Sequence, residues 1–265
     1  MGDSTATGAR GSGHTPANAP EASAPSALSG NLAARLWLFD FDNTVAALER
    51  VVDWAASRRE LEAFLRREGI DDQIFREFPS RNLPLYNALL KQLQGNTGVL
   101  SDAARALIRR ASTIIESHEL RGVERAAPLP GAIELIEDLH AQRRELAIVT
   151  SNSSRTVIRW LEAHDLLTQM NLIVGRDSLL PLKPAPAAVN RALEQCAIAP
   201  ADTVLVGDSE ADAGAARAAA VGFYGIAASS EGRSRLVALG AREAFDSPRE
   251  LARHLALAWP VPAGY

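Results

Sequence analysis

Leu36-Trp37-Leu38-Phe39 is an unbroken apolar run that halts at the acidic stretch Asp40-Phe41-Asp42-Asn43-Thr44. A run without polar alternation suits a strand covered on both faces, as in a parallel sheet held between two helical layers. The pattern returns three times. Leu146-Ala147-Ile148-Val149 ends in Thr150-Ser151-Asn152, Leu172-Ile173-Val174 ends in Gly175, and Val204-Leu205-Val206 ends in Gly207-Asp208. A fifth short strand is predicted from Phe223 to Ile226, after a glycine.

Helical patterns separate these strands. Ala132 to Gln142 places Ile133, Ile136 and Leu139 on one face, and Val189 to Cys196 follows a proline-rich start. Strand and helix in alternation predict an α/β fold with a Rossmann-like, doubly wound parallel sheet. Ser247-Pro248-Arg249-Glu250 combines an N-cap serine, a first-turn proline and a third-position glutamate, so a last helix is predicted to run toward Ala258. The interval from Glu49 to about Arg125 breaks the alternation with several amphipathic helical segments, notably Trp54 to Arg67, Leu83 to Leu93 and Asp102 to Ser117. It reads as a helical cap over residues 49–125, inserted into a catalytic core made of residues 31–48 and 126–265. Leaving just after the Asp40 loop and returning before the next core strand, the insert is expected to sit over the C-terminal strand ends, where ligands bind in open α/β sheets.

Composition removes several other classes. The chain has 265 residues, 47% hydrophobic and 23% charged, with a net charge of −4 and no dense Lys/Arg block, so nucleic acid and anionic membranes are not expected partners. Cys196 is the only cysteine, which excludes an internal disulfide and argues against a cysteine-based zinc site. It is expected to be a small hydrophobe on a core helix. His14, His118, His140, His164 and His254 show no metal-ligand spacing and are expected on helical surfaces. Residues 1–30, rich in Ala, Ser, Gly, Pro and Thr, hold no apolar run long enough for a signal peptide or a membrane span. They are read as a disordered tail on a cytoplasmic protein, and Ala6 stands where N-myristoylation wants Ser or Thr.

Four segments, each at or just after a predicted strand, carry groups suited to phosphoryl transfer. Asp40 and Asp42 share one loop, and two acids at a strand end repel unless a cation joins them. Thr150-Ser151-Asn152 offers a hydroxyl and N–H groups to phosphoryl oxygens. Lys183, in Pro181-Leu182-Lys183-Pro184, is kept extended and out of the helix by the proline that follows. Gly207-Asp208-Ser209-Glu210-Ala211-Asp212 supplies two further acids.

In this order the four segments resemble those of the haloacid dehalogenase superfamily, in particular its phosphoglycolate-phosphatase-like branch with a helical cap after the first motif. The likeness spans roughly residues 34 to 48 and 126 to 250. It implies that Asp40 is the nucleophile forming an aspartyl-phosphate. It implies that Asp42 is the general acid/base, with its backbone carbonyl also on the metal. Thr150, with Ser151 and Asn152, then binds the phosphoryl group, and Lys183 pairs with the nucleophile and the phosphate. The implied cofactor is Mg²⁺ on Asp40, Asp42 and Asp208, with Asp212 behind them or serving the dipole of its own helix. The family's usual glycine is Asn43 here, the non-glycine residue most tolerant of a left-handed backbone.

An aspartate at position 42 favours phosphate-ester chemistry over the superfamily's dehalogenase and phosphonate-cleaving branches. The expected activity is Mg²⁺-dependent hydrolysis of a small phosphorylated metabolite. A phosphomutase uses the same residues, and a binding module that has lost the chemistry is the rival of another class. Arg76, Arg81, Tyr86 and Lys91 are the insert's polar candidates for substrate choice, with an outer-face position the alternative for each. The oligomeric state is not legible.

Overall fold

The computed structural model describes Met1 and residues 34–258; the rest of the expected tail, His14 included, lies outside the described residues. Strand β1, Leu36–Phe39, opens the fold and is fully buried. Helices α1 (Trp54–Arg67), α2 (Gln73–Glu77), α3 (Asn82–Gln94) and α4 (Asp102–Gly122) follow. The core then resumes as α5 (Ala132–Ala141), β2 (Glu145–Val149), α6 (Ser154–Ala163), β3 (Leu172–Val174) and α7 (Ala187–Cys196). It closes with β4 (Thr203–Gly207), α8 (Glu210–Ala218), β5 (Gly222–Ile226), α9 (Ser230–Ala238), β6 (Glu243–Phe245) and α10 (Pro248–Ala258).

All the strand pairs are parallel, in the order β3-β2-β1-β4-β5-β6. This is the doubly wound arrangement expected from the alternation, with its switch point between β1 and β4. Successive side chains of β1 point to opposite faces. Trp37 and Phe39 join a core with Ile136, Leu139, Trp160 and Leu251 from α5, α6 and α10. Leu36 and Leu38 join a second core with Val189, Ala192, Ala215 and Leu236 from α7, α8 and α9. Because helices cover both faces, the strand sequence shows no polar alternation.

Strand β6 was not anticipated. Its three residues run from exposed to buried, and it pairs only with β5 at the sheet edge, so no apolar run announces it. At α10 the start is as expected, since the Glu250 N–H donates to the Ser247 carbonyl at 3.1 Å. The side-chain cap differs: the Ser247 hydroxyl donates to Asp246, and Glu250 pairs with Arg253. A reciprocal capping box forms instead on α8, between Ser209 and Asp212.

Helices α1 to α4 gather a third apolar cluster that includes Leu61, Leu65, Leu85, Leu89, Ile108 and Ile115. Leu179 and Leu182, from the loop between β3 and α7, are seated in the same cluster. His118 corrects the surface expectation. It lies on the inner side of α4, 7% exposed, with Nε2 2.9 Å from Glu60 Oε2. Cys196 is partly buried and packs against the second sheet core, as expected.

Candidate active site

The parallel register brings distant segments to one end of the sheet. Phe39 is level with Ile148 of β2 and with Val206 of β4, so Asp40, Thr150 and Asp208 all emerge within two residues of that line. The Asp40 N–H donates to the Val206 carbonyl at 2.9 Å, which ties the loop to β4. Phe41 is fully buried and meets Trp160 edge-on at 5.5 Å, pinning the loop from below. Asn43 adopts φ 58°, the left-handed conformation its residue type tolerates, and its amide donates to Glu49 at 2.8 Å. The Glu49 N–H donates to the Asp42 carboxylate at 2.8 Å.

Lys183 lies in a turn outside the helix and reaches both sides of the switch point. Its ammonium is 2.6 Å from Asp40 Oδ1 and 2.5 Å from Asp212 Oδ1, with the side chain 4% exposed. Burial disfavours its charge, but Asp212 and Asp40 outweigh that and hold its pKa above the ordinary lysine value. Lys183 lies outside the helix, as expected, and its peptide to Pro184 is cis.

Asp40, Asp208 and Asp212 each bring a carboxylate oxygen within 4.8 Å of the others. Burial, above all, shifts Asp40, Asp42 and Asp208 upward. Asp40 is pushed up to about 6, with Lys183 opposing the shift and Asp212 adding to it. Asp42 is pushed up to about 7 by burial, against the Glu49 N–H and with help from Asp40. Asp208 is pushed up to about 8 by burial and by repulsion from Asp40 and Asp212. A divalent cation relieves such repulsion, and hard oxygen donors suit Mg²⁺. Asp212 is committed elsewhere: Oδ1 to Lys183, and Oδ2 to the Ser209 N–H and hydroxyl at 3.1 and 2.5 Å. Asp40 and Asp208 are therefore the carboxylates that fit a cation. Gly207 makes this packing possible, since a Cβ there would lie 2.5 Å from Asp212 Cγ.

The loop after β2 forms the third wall. The Thr150 N–H donates to the Val174 carbonyl at 3.0 Å, and its hydroxyl donates to Asn152 Oδ1 at 3.1 Å. Ser153 caps α6 by accepting from the Thr156 N–H at 3.1 Å, so that helix begins directly beyond the loop. Two buried charges not foreseen from the sequence stand behind it, Glu119 on α4 and Arg176 after β3. A signal was present. Ile108, Ala111, Ile115 and Glu119 recur at helical spacing, so an acid falls on an otherwise apolar stripe.

Of the insert's four candidates, Arg76, Arg81 and Lys91 are exposed. Tyr86 is buried and donates its hydroxyl to the Arg176 carbonyl at 3.4 Å, a contact between insert and core. An open groove of about 720 Å³ elsewhere, lined in part by Asp53, Arg59, His118, Arg121 and Arg125, contains none of the acidic cluster.

Residues 37–226 match the haloacid dehalogenase-like hydrolases. The chain belongs to this family. A phosphoglycolate phosphatase from Pseudomonas fluorescens is 32% identical over 191 residues, covering 71% of this chain and 67% of that protein. Among solved structures, a hydrolase from Pseudomonas syringae aligns with a TM-score of 0.56 at 22% identity, over 84% of this chain and 98% of its own. A family hydrolase from Deinococcus radiodurans, solved with bound phosphate and sodium, aligns at 0.55 and 20% identity, over 86% and 97%. This haloacid dehalogenase-like hydrolase is a phosphatase. Among its described residues no helix is long and apolar enough to cross a membrane.

Proposed function

We propose that the chain is a Mg²⁺-dependent phosphatase that hydrolyses a small phosphate monoester through an aspartyl-phosphate on Asp40. The observation that carries this reading is the buried cluster at the switch point, where Lys183 bridges Asp40 and Asp212 beside Asp208. Mg²⁺, held by Asp40, Asp208 and the Asp42 carbonyl, would offset the charge of the transferring phosphoryl group.

Asp40 attacks phosphorus and the bond to the ester oxygen breaks. With its pKa near 6, Asp40 is largely ionised at neutral pH and available as a nucleophile. Asp42, pushed up to about 7 by burial, can carry a proton near neutral pH and gives it to the departing alkoxide. In the second half-reaction Asp42 takes a proton from water, the water oxygen bonds to phosphorus, and the bond to Asp40 breaks to release inorganic phosphate. Thr150, Ser151 and Asn152 bind the phosphoryl oxygens at the N-terminus of α6, an end that favours anions. Lys183 holds Asp40 in place and lowers the cost of bringing a dianion to an acidic site. Asp212 orients the lysine. Phosphoglycolate is the first ester to test, on the similarity to a phosphoglycolate phosphatase.

The test is phosphate release from a panel of small phosphate esters with and without Mg²⁺, comparing wild type with Asp40→Asn. Release that requires Mg²⁺ and vanishes in the variant supports the mechanism and ranks the substrates. A folded wild-type protein that releases phosphate from no ester refutes it.

A further inference from the structure

Glu119 and Arg176 belong to none of the proposed chemical steps, yet both are 0% exposed. A buried ion pair is costly unless its remaining hydrogen-bonding positions are filled. Here they are. Glu119 Oε1 accepts from Arg176 Nη1 at 2.8 Å and Asn152 Nδ2 at 3.0 Å. Its Oε2 accepts from Arg176 Nη2 at 3.0 Å, the Ser153 N–H at 3.1 Å and the Thr156 hydroxyl at 3.2 Å. Arg176 also donates to the Ser112 hydroxyl at 3.2 Å and to the Ser151 carbonyl at 2.8 Å. Burial alone would raise the Glu119 pKa, but Arg176 and these hydrogen bonds hold the carboxyl below its ordinary range.

The pair grips three consecutive residues of the loop after β2: Ser151 by its carbonyl, Asn152 by its amide and Ser153 by its N–H. Asn152 in turn takes the Thr150 hydroxyl at 3.1 Å and donates its own N–H to Thr150 Oγ1 at 3.2 Å. The groups assigned to the phosphoryl oxygens are thus fixed from their buried side. Glu119 and Ser112 come from α4, which precedes the loop in sequence and belongs to the insert. The bidentate fork sets direction as well as distance.

We infer that Glu119 and Arg176 are positioning residues for phosphoryl binding, and that α4 of the insert sets through them where the donors of Thr150, Ser151 and Asn152 point. This rests on the reading of that loop as the phosphoryl site. It adds a role for the insert distinct from contact with the substrate's organic part. If the pair served stability alone, breaking it would lower the unfolding midpoint and leave phosphate affinity unchanged.

The experiment uses the full chain with Mg²⁺ and an ester that the wild type hydrolyses. It reads kcat, KM, inhibition by inorganic phosphate and the thermal midpoint. Arg176→Lys keeps the charge and loses the fork. The double variant Glu119→Gln with Arg176→Gln avoids a lone buried charge if single neutralisation prevents folding. Ile108→Ala, in the insert's own apolar cluster, is the destabilised control. At a temperature where all are folded, kcat should fall about ten- to a hundredfold in both pair variants, the scale set by sub-ångström misplacement. Phosphate inhibition should weaken by about tenfold, while half-saturation by Mg²⁺ stays put and Ile108→Ala matches wild type. Folded Arg176→Lys with wild-type kcat and phosphate inhibition would overturn the inference while leaving the phosphatase reading intact. A wild type without Mg²⁺-dependent release sensitive to Asp40→Asn would overturn both.

Discussion

Stripped of divalent cations, the folded chain should become more stable as pH falls from 8 to 5, the reverse of ordinary acid destabilisation. Asp40, Asp42 and Asp208 are pushed up to about 6, 7 and 8 in the folded state, whereas an unfolded aspartate titrates near 3.9. A carboxyl with a raised folded pKa binds more protons folded than unfolded, so its contribution is full at low pH and lost as pH rises through the folded value. Each pKa unit corresponds to about 1.4 kcal/mol, so Asp208 alone could contribute about 3 to 4 kcal/mol over this window. The three do not add, because the first proton taken up relieves the repulsion felt by its neighbours. A net gain of about 3 to 5 kcal/mol is expected, or a rise in midpoint of about 6 to 20 °C for a folded region of this size. The assay is thermal unfolding followed by circular dichroism at pH 5, 6, 7 and 8, in chelator and in excess Mg²⁺. Bound Mg²⁺ favours the ionised carboxylates and should flatten the dependence, and Asp208→Asn should reduce it in chelator. A metal-free midpoint that is flat, or that rises with pH, refutes the account of desolvated, mutually repelling acids.

Lys183→Met removes the only cation in contact with Asp40 and Asp212 among the described residues; steady-state kinetics should show kcat down by about 10²- to 10³-fold. Gly207→Ala puts a methyl 2.5 Å from Asp212 Cγ; urea unfolding should show a loss of about 1 to 3 kcal/mol, and activity should fall because Asp212 orients the lysine. Asn43→Val forces a β-branched residue into φ 58° and should cost about 1 to 2 kcal/mol in the same assay, whereas Asn43→Gly should be close to neutral.

Residue types and their order made the strand-loop units legible. The apolar runs at Leu36, Leu146, Leu172 and Val204 each became a strand, and α1 occupies the predicted Trp54–Arg67. Such elements are readable because burial on both faces leaves a strand no choice but continuous apolar residues, and a helix with one buried face must repeat near 3.6 residues. β6 escaped because a short edge strand is made by its neighbour's free backbone rather than by its own side chains.

The acidic loop, the lysine and the second acidic loop were marked in the sequence by type and by position after apolar runs. Tertiary structure alone decided how they share charge: Asp212 spends both oxygens on Lys183 and Ser209, which leaves Asp40 and Asp208 for a cation. It also decided that His118 and Tyr86 turn inward and that Glu119 meets Arg176, 57 residues away, behind the Thr150 loop. Local pattern reports which face of an element is apolar. It does not report which polar residue on that face will find a partner, because desolvation and pairing depend on elements brought together only when the sheet closes under the insert.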